Sequence, residues 1–265
     1  MIATSLPAPA VPSRLDAFGQ GFAPVALHEL EAHAAMLERL DNKYVVPFAV
    51  LDRLADRLAE TFHVLEIDGT RSFRYATTYF DTPDRRAYFD HLQGRRRRCK
   101  VRVRRYLDAN QSFVEIKLKD RRDTTVKRRF CTDPRTYPLL DPSRFARIAE
   151  AYRLQYGEPF EDPLAPTLEV FYRRLTLVAR DGGERMTVDS QLSFVASDAR
   201  RGVRSDLVIV ETKSRNGRGL ADRLLRAAHV HPVGACSKYC LGMAALGQVG
   251  RANRFLPALR RLGLR

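Results

Sequence analysis

The sequence predicts an α+β fold: a closed antiparallel β-barrel of about eight strands, flanked by helices. Three observations predict it. Segment after segment alternates with a period of two; in one of them Lys100, Arg102 and Arg104 fall on one face and Val101 and Val103 on the other. Asp, Pro and Gly punctuate these segments in the manner of antiparallel meanders, not of βαβ crossovers. The charge is also concentrated: within a formal net +15, the stretch from Arg95 to Arg129 holds fifteen Lys/Arg against four Asp/Glu.

The elements follow in chain order. Residues 1–25, rich in Ala and Pro, are expected to be disordered or loosely attached. "LERLDNKYVV" reads as a strand ended by Pro47, and Phe48, Leu51, Leu54 and Leu58 then recur at helical spacing. "RSFRYATTYFDT" is a strand running into a short helix, "PDRRAYFDHLQG", closed by Gly94. Three basic strands come next, at 96–106, 112–119 and 124–130, and a helix spans Pro142 to Gln155. "PTLEVFYRRLTLVAR", "ERMTVDSQLSF" and "SDLVIVETKS" are strands, while "GRGLADRLLRAA" and "SKYCLGMAAL" are helices. Residues 247–265 form a basic, amphipathic tail with at most a surface helix, leaving 26–246 as the main domain.

Almost every strand has one apolar face and one charged face. Arg39, Asp41 and Lys43 share a face, as do Glu115, Lys117 and Lys119; Tyr172 and Arg174; Arg185, Thr187 and Asp189; and Glu211 and Lys213. On any single strand a solvated face is the plainer reading, since like charges ~4 Å apart in water interact by only ~1 kcal/mol. Repetition over six or more strands, with Arg and Lys where Thr, Ser and Gln would ordinarily mix, points to charged faces turned inward. In such a lumen, at an effective dielectric near ~20, each close pair costs several kcal/mol unless an anion compensates. The compensating ligand must be thin and multiply negative, as a polyphosphate or a nucleoside triphosphate is; a duplex does not fit the bore.

Composition narrows the class further. A chain of 265 residues with 45% hydrophobic residues can bury a core. Cys99, Cys131, Cys236 and Cys240 form no CxxC pair, which fits free thiols in a reducing compartment. The start lacks the pattern of a secretory signal and no apolar run approaches the ~20 residues of a membrane span, so a cytoplasmic protein is expected. Neither a P-loop nor a dinucleotide-binding glycine motif is present. The six histidines form no usable set.

"DNKY", "TTYFDTPDRRAYFDHLQGRRRRCKVRVRRY", "FVEIKLKD", "TVKRR", "YRRLTLV", "ERMTVD", "VIVETKS" and "SKYCLGM" occur in this order. Together they resemble the VTC domain, the polyphosphate polymerase domain of the triphosphate tunnel superfamily. The resemblance implies a tunnel-shaped barrel in which the γ-phosphate of ATP passes to a growing inorganic polyphosphate chain with the help of Mn²⁺ or Mg²⁺. Residue by residue, Lys43, Arg102, Arg104, Lys117 and Lys127 match its basic wall, Tyr172 and Arg174 its Tyr-x-Arg pair, and Arg185 a further phosphate-binding arginine. Glu211 matches the metal-binding glutamate, with Asp189 or Glu115 as helpers. Ser237 and Lys238 match the Ser-Lys pair opening the last helix. Lys213 and Arg39 join the substrate-binding set.

The first strand departs from the wider superfamily, which carries Glu-x-Glu-x-Lys where this chain has Arg39, Asp41 and Lys43. Fewer carboxylates favour attack by phosphate over attack by water. The expected partners are therefore ATP and polyphosphate, not nucleic acid, with a membrane protein as a possible further partner. A tunnel triphosphatase or polyphosphate hydrolase is the alternative, and a non-catalytic module binding polyphosphate or RNA is another. Several residues stay open at this stage. Glu115 with Lys117, and Glu211 with Lys213, also read as same-face ion pairs; Ser237 also reads as an N-cap; Arg95 to Arg98 read as a basic mouth or a solvated turn.

Overall fold

The computed structural model describes residues 13–29, 40–119, 125–181 and 183–265; Arg39 lies outside them. Eleven strands among these residues form one sheet: β1 (Pro24–Val25), β2 (Leu40–Pro47), β3 (Phe62–Leu65), β4 (Ser72–Asp81), β5 (Arg98–Tyr106), β6 (Gln111–Lys119), β7 (Thr125–Thr132), β8 (Ala165–Ala179), β9 (Arg185–Ala196), β10 (Ala199–Gly202) and β11 (Leu207–Ser214). The hydrogen-bonded path runs β2-β11-β9-β8-β4-β5-β6-β7. It is not closed by hydrogen bonds: β2 and β7 are its ends. The fold is thus α+β with a large antiparallel sheet, to which β1 adds a parallel pairing with β3.

The helices are α1 (Arg14–Gln20), α2 (Phe48–Thr61), α3 (Arg86–Leu92), α4 (Pro142–Tyr156), α5 (Leu220–Ala227), α6 (Lys238–Ala245) and α7 (Leu256–Arg261). The chain divides into two compact units, one of Met1–Ser72, Arg174–Ser190 and Ile209–His231, the other of Phe73–Arg173, Gln191–Val208 and Pro232–Arg265.

In the first unit, α1 occupies part of the segment expected to be loose. Ser13 and Asp16 close a capping box, and Leu15, Phe18 and Phe22 are buried, with Phe18 edge-on to Phe48 of α2. Those apolar side chains supply the burial that the Ala/Pro composition upstream does not. Helix α2 begins where Pro47 fixes an extended φ of −60°, and it buries Phe48, Leu51 and Leu58.

In the second unit, β5, β6 and β7 form the predicted meander. Val101, Val103, Val114, Ile116 and Leu118 on one face pack against Ile148 and Tyr152 of α4. Asp141 caps α4 by accepting from the Arg144 amide, Pro142 opens it, and Gly157 ends it at φ +72°. The tail expected to lie on the surface is anchored instead. Phe255, Leu259 and Leu262 are buried, because the apolar stripe of this short amphipathic segment has a core to enter.

Candidate functional site

The ladder of β5, β6 and β7 sets the basic face of the second unit. Its register places Lys100 opposite Lys117 and Lys117 opposite Lys127, and Arg102 opposite Glu115 and Glu115 opposite Arg129. Residues opposed in this way lie ~5 Å apart, close enough for long side chains to meet. Glu115 is the centre of the face. Its carboxylate, 2% exposed, receives Arg102 at 2.5 Å, Arg104 at 3.6 Å and Lys127 at 2.7 Å. Burial alone would raise its pKa, but Arg102, Arg104 and Lys127 hold it well below the usual carboxylate range. Three cations thus converge on one carboxylate.

Aromatic rings frame the same cations. Tyr172 stacks on Tyr75 at 5.0 Å, Arg104 lies 5.5 Å from Tyr75 and 6.0 Å from Tyr172, and the Lys238 ammonium sits 4.9 Å from the Tyr172 ring. Tyr79 reports the local potential. Its burial raises the hydroxyl pKa, yet the charges of Arg102, Arg104 and Lys238 more than reverse this and lower it. A positive field that overcomes desolvation is a field prepared for an anion.

Helix α6 brings Ser237 and Lys238 to this unit's site, and Asp81 anchors the helix. The buried Asp81 accepts from the Tyr239 hydroxyl at 2.5 Å, and from the Ala87 and Tyr88 amides that open α3. Ser237 sits at the N-cap position but makes no side-chain cap bond. Its hydroxyl instead accepts from the Lys100 ammonium at 3.1 Å, which also meets His91 Nδ1 at 2.6 Å. Lys100 and His91 were not among the residues singled out; the strand alternation alone placed Lys100 on this face. The Arg95–Arg98 run is partly neutralised, Arg95 by Asp90 and Arg97 by Glu158.

The first unit holds its own cluster. Lys213 bridges Glu211 and, at 3.1 Å, Asp41, while Lys43 lies 4.0 Å from Glu211. Burial would raise the Glu211 pKa, and Lys43, Lys213 and Arg174 instead drive it well below the usual range. Arg174 binds both oxygens of the fully enclosed Asp189, at 2.6 and 2.8 Å. Arg185 pairs in register with Lys213 and Thr187 with Glu211; the Thr187 hydroxyl is buried with no hydrogen-bond partner among the described residues.

Behind this cluster stands a residue the sequence reading missed. Asp222 of α5, wholly buried, accepts from Asn42 Nδ2 (2.9 Å), the Tyr44 hydroxyl (2.5 Å), Thr212 Oγ1 (2.7 Å), Ser214 Oγ (3.3 Å) and the Gly219 amide (3.1 Å). Asn42 and Tyr44 flank Lys43, and Thr212 and Ser214 flank Lys213. Asp222 therefore fixes both strands one residue to either side of the charged groups. A lone Asp in an amphipathic helix carries no sequence signal for this role.

Among the described residues no cluster of three or more His, Cys, Asp or Glu stands ready to hold a metal. The individual carboxylates still differ. All three are paired with cations, but Asp189 and Glu115 are enclosed while 15% of the Glu211 side chain is exposed; Glu211 lies opposite Thr187, whose hydroxyl has no hydrogen-bond partner among the described residues. Mg²⁺ or Mn²⁺ needs only one or two protein carboxylates when phosphate and water complete its shell, and of the three Glu211 is the most exposed.

The VTC-domain family model matches residues 38–247. The chain belongs to the VTC-domain family. Among solved structures, this VTC-domain chain is similar to an adenylyl cyclase candidate of Hippeastrum with a dominant triphosphatase activity, at 16% identity and TM-score 0.48, covering 78% of this chain and 96% of that one. It is similar also to an adenylate cyclase candidate of Bacillus halodurans, at 10% identity and TM-score 0.38, covering 83% and 96%. With TM-scores this low, membership rests on the family match. No curated protein matches the chain.

Proposed function

We propose that this VTC-domain protein is an ATP-dependent polyphosphate polymerase that grips phosphate on its charged strand faces. The observation that carries the reading is the charge imbalance around Glu115: Arg102, Arg104 and Lys127 converge on one buried carboxylate, and their field, with that of Lys238, outweighs desolvation at Tyr79. Such a concentration of cations attracts a multiply charged anion.

In the reaction, an ionised oxygen of the chain's terminal phosphate attacks the γ-phosphorus of ATP. A new P–O bond forms, the β–γ bridging bond breaks, and ADP leaves with the bridging oxygen. No protein base is required, because the nucleophile is already deprotonated. The protein's share is positioning and charge cancellation on the equatorial oxygens. Arg102, Arg104, Lys117, Lys127 and Lys238 supply this from the second unit, Arg as a fork and Lys as a point charge. Ser237, oriented by Lys100, offers a further hydroxyl to a phosphate. In the first unit, Lys43, Lys213, Arg174 and Arg185 bind phosphate, and Asp189 holds the Arg174 guanidinium in place. Glu211 would hold Mn²⁺ or Mg²⁺, which when bound neutralises phosphate oxygens and orients the triphosphate.

The four free cysteines suit a reducing, cytoplasmic setting, and among the described residues no helix is long and apolar enough to cross a membrane. Incubating the purified protein with ATP and Mn²⁺ tests the activity: long chains plus ADP support it, and orthophosphate without chains would make the protein a hydrolase. Glu211→Gln should stop turnover while triphosphate still binds by calorimetry. A protein that binds phosphate chains and turns over nothing with either metal would be a binding module.

A further inference from the structure

A solvent-open cavity of about 1270 Å³ lies in the second unit, and none of the residues assigned above lines it. Its walls come from the end of α6 (Ala244, Leu246), from Phe89 and Leu92 of α3, and from Leu256 of α7, with Val249 in the connecting segment. The rim is of one sign. Arg200, Arg201, Arg251 and Arg265 line the cavity, and no Asp or Glu side chain does. All four arginines are exposed, and none makes an ion pair or a side-chain hydrogen bond among the described residues. Of the four, Arg200 also feels the Glu169 carboxylate, which does not line the cavity.

We propose that this groove docks an acidic, amphipathic helical segment of a partner protein, its apolar side chains entering the recess and its Asp/Glu side chains meeting the four arginines. The volume exceeds the ~300–1,000 Å³ usual for small-molecule sites and suits several side chains of a helix lying in a groove. A phosphate chain would gain nothing from the Phe89, Leu92 and Val249 walls. A bilayer needs protruding apolar side chains, and the exposed large hydrophobics among the described residues, Leu27, Leu40, Leu139 and Leu154, are all outside this cavity. Arg is, moreover, the charged side chain most favoured in protein interfaces.

The groove is open to a specific test. A Cβ added at Gly250 meets nothing within 4 Å, and its φ is not in the left-handed region, so Gly250→Trp places a bulky side chain at the cavity wall without backbone strain. Random peptides displayed on phage are selected against the full chain, and enriched sequences are measured by calorimetry against wild type, Gly250→Trp and the double variant Arg200→Glu/Arg201→Glu. The expected result is enrichment of peptides with Leu or Phe at i, i+3 and i+4 and carboxylates between, losing at least about tenfold in affinity (~1.4 kcal/mol) in both variants. Hydrogen exchange should slow at residues 244–253. If Gly250→Trp does not fold, the surface double variant carries the comparison. The proposal is overturned if no peptide is enriched, or if enriched peptides bind both variants as tightly as wild type, which would place them on the phosphate site. Flotation with phosphatidylglycerol vesicles that the double variant abolishes would overturn it in favour of a lipid surface. None of these readouts depends on polymerase activity.

Discussion

Replacing Glu115 by Gln tests the charge argument without changing the size of the side chain. In the wild type its carboxylate, 2% exposed, is the shared counter-ion of Arg102, Arg104 and Lys127. Removing one partner of a buried ionic group costs ~3–5 kcal/mol, because the charges left behind stay desolvated. Arg102 and Arg104, with side chains 26% and 7% exposed, carry most of that cost; Lys127, 48% exposed, is partly screened by water. For a chain of this size each kcal/mol moves Tm by ~2–4 °C, so unliganded Glu115→Gln should melt ~6–20 °C lower. Millimolar tripolyphosphate should then stabilise the variant by more degrees than it stabilises wild type, since the anion restores the missing negative charge.

Acid titration adds a signed check on the same variant. Glu115 has a folded pKa below its unfolded value, so its contribution is present above the ordinary glutamate range and is lost as pH falls through the folded value. In Glu115→Gln that part of the acid destabilisation should vanish. Differential scanning calorimetry over a pH series, with and without tripolyphosphate, measures all three effects. An unliganded variant that melts with the wild type, or one that gains no more from triphosphate, would refute the reasoning.

Three further substitutions probe the supporting structure. Arg174→Ala should cost ~3–5 kcal/mol by removing the two-pronged partner of the enclosed Asp189, and adding Asp189→Asn should recover part of it in a double-mutant cycle read by urea denaturation. Asp222→Asn replaces an acceptor of five hydrogen bonds by a group that cannot accept from the Gly219 amide and the four side chains together. At ~1–3 kcal/mol for each donor left unsatisfied, Tm should fall, and triphosphate affinity should fall with it as Lys43 and Lys213 lose their fixed positions. Gly242→Ala in α6 should destabilise by ~1–3 kcal/mol despite alanine's helix propensity, because its Cβ would lie 2.6 Å from Leu168 and Phe194.

The strand faces were legible because a pleated strand forces alternation. Once Val101 and Val103 are committed to the core, Lys100, Arg102 and Arg104 have only the other face. Partner choice was not legible. Glu115 reads in sequence as a mate for Lys117, two residues on, but the structure gives it Arg102 directly across the ladder and Arg104 and Lys127 on the diagonals, whose long side chains span the ~7 Å between diagonal neighbours. Glu211 and Lys213 do pair within one strand, helped by Asp41 from β2 drawing on the same ammonium. Helix α1 was hidden for a different reason: the capping box of Ser13 and Asp16 is a weak local signal beside the Ala/Pro run that precedes it.

The sequence by itself determined the alternating strands, the basic meander from β5 to β7 and membership of the VTC-domain family, since each depends on residue type at short, regular spacing. Only the tertiary structure decided that Glu115 and Asp189 are buried counter-ions to arginines and that Asp222 holds the strands bearing Lys43 and Lys213. Those roles join residues as far as 180 positions apart. Whether a carboxylate serves as counter-ion, anchor or metal ligand is set by which donors folding brings to it and how much water folding removes, and neither quantity is written in the neighbouring residues.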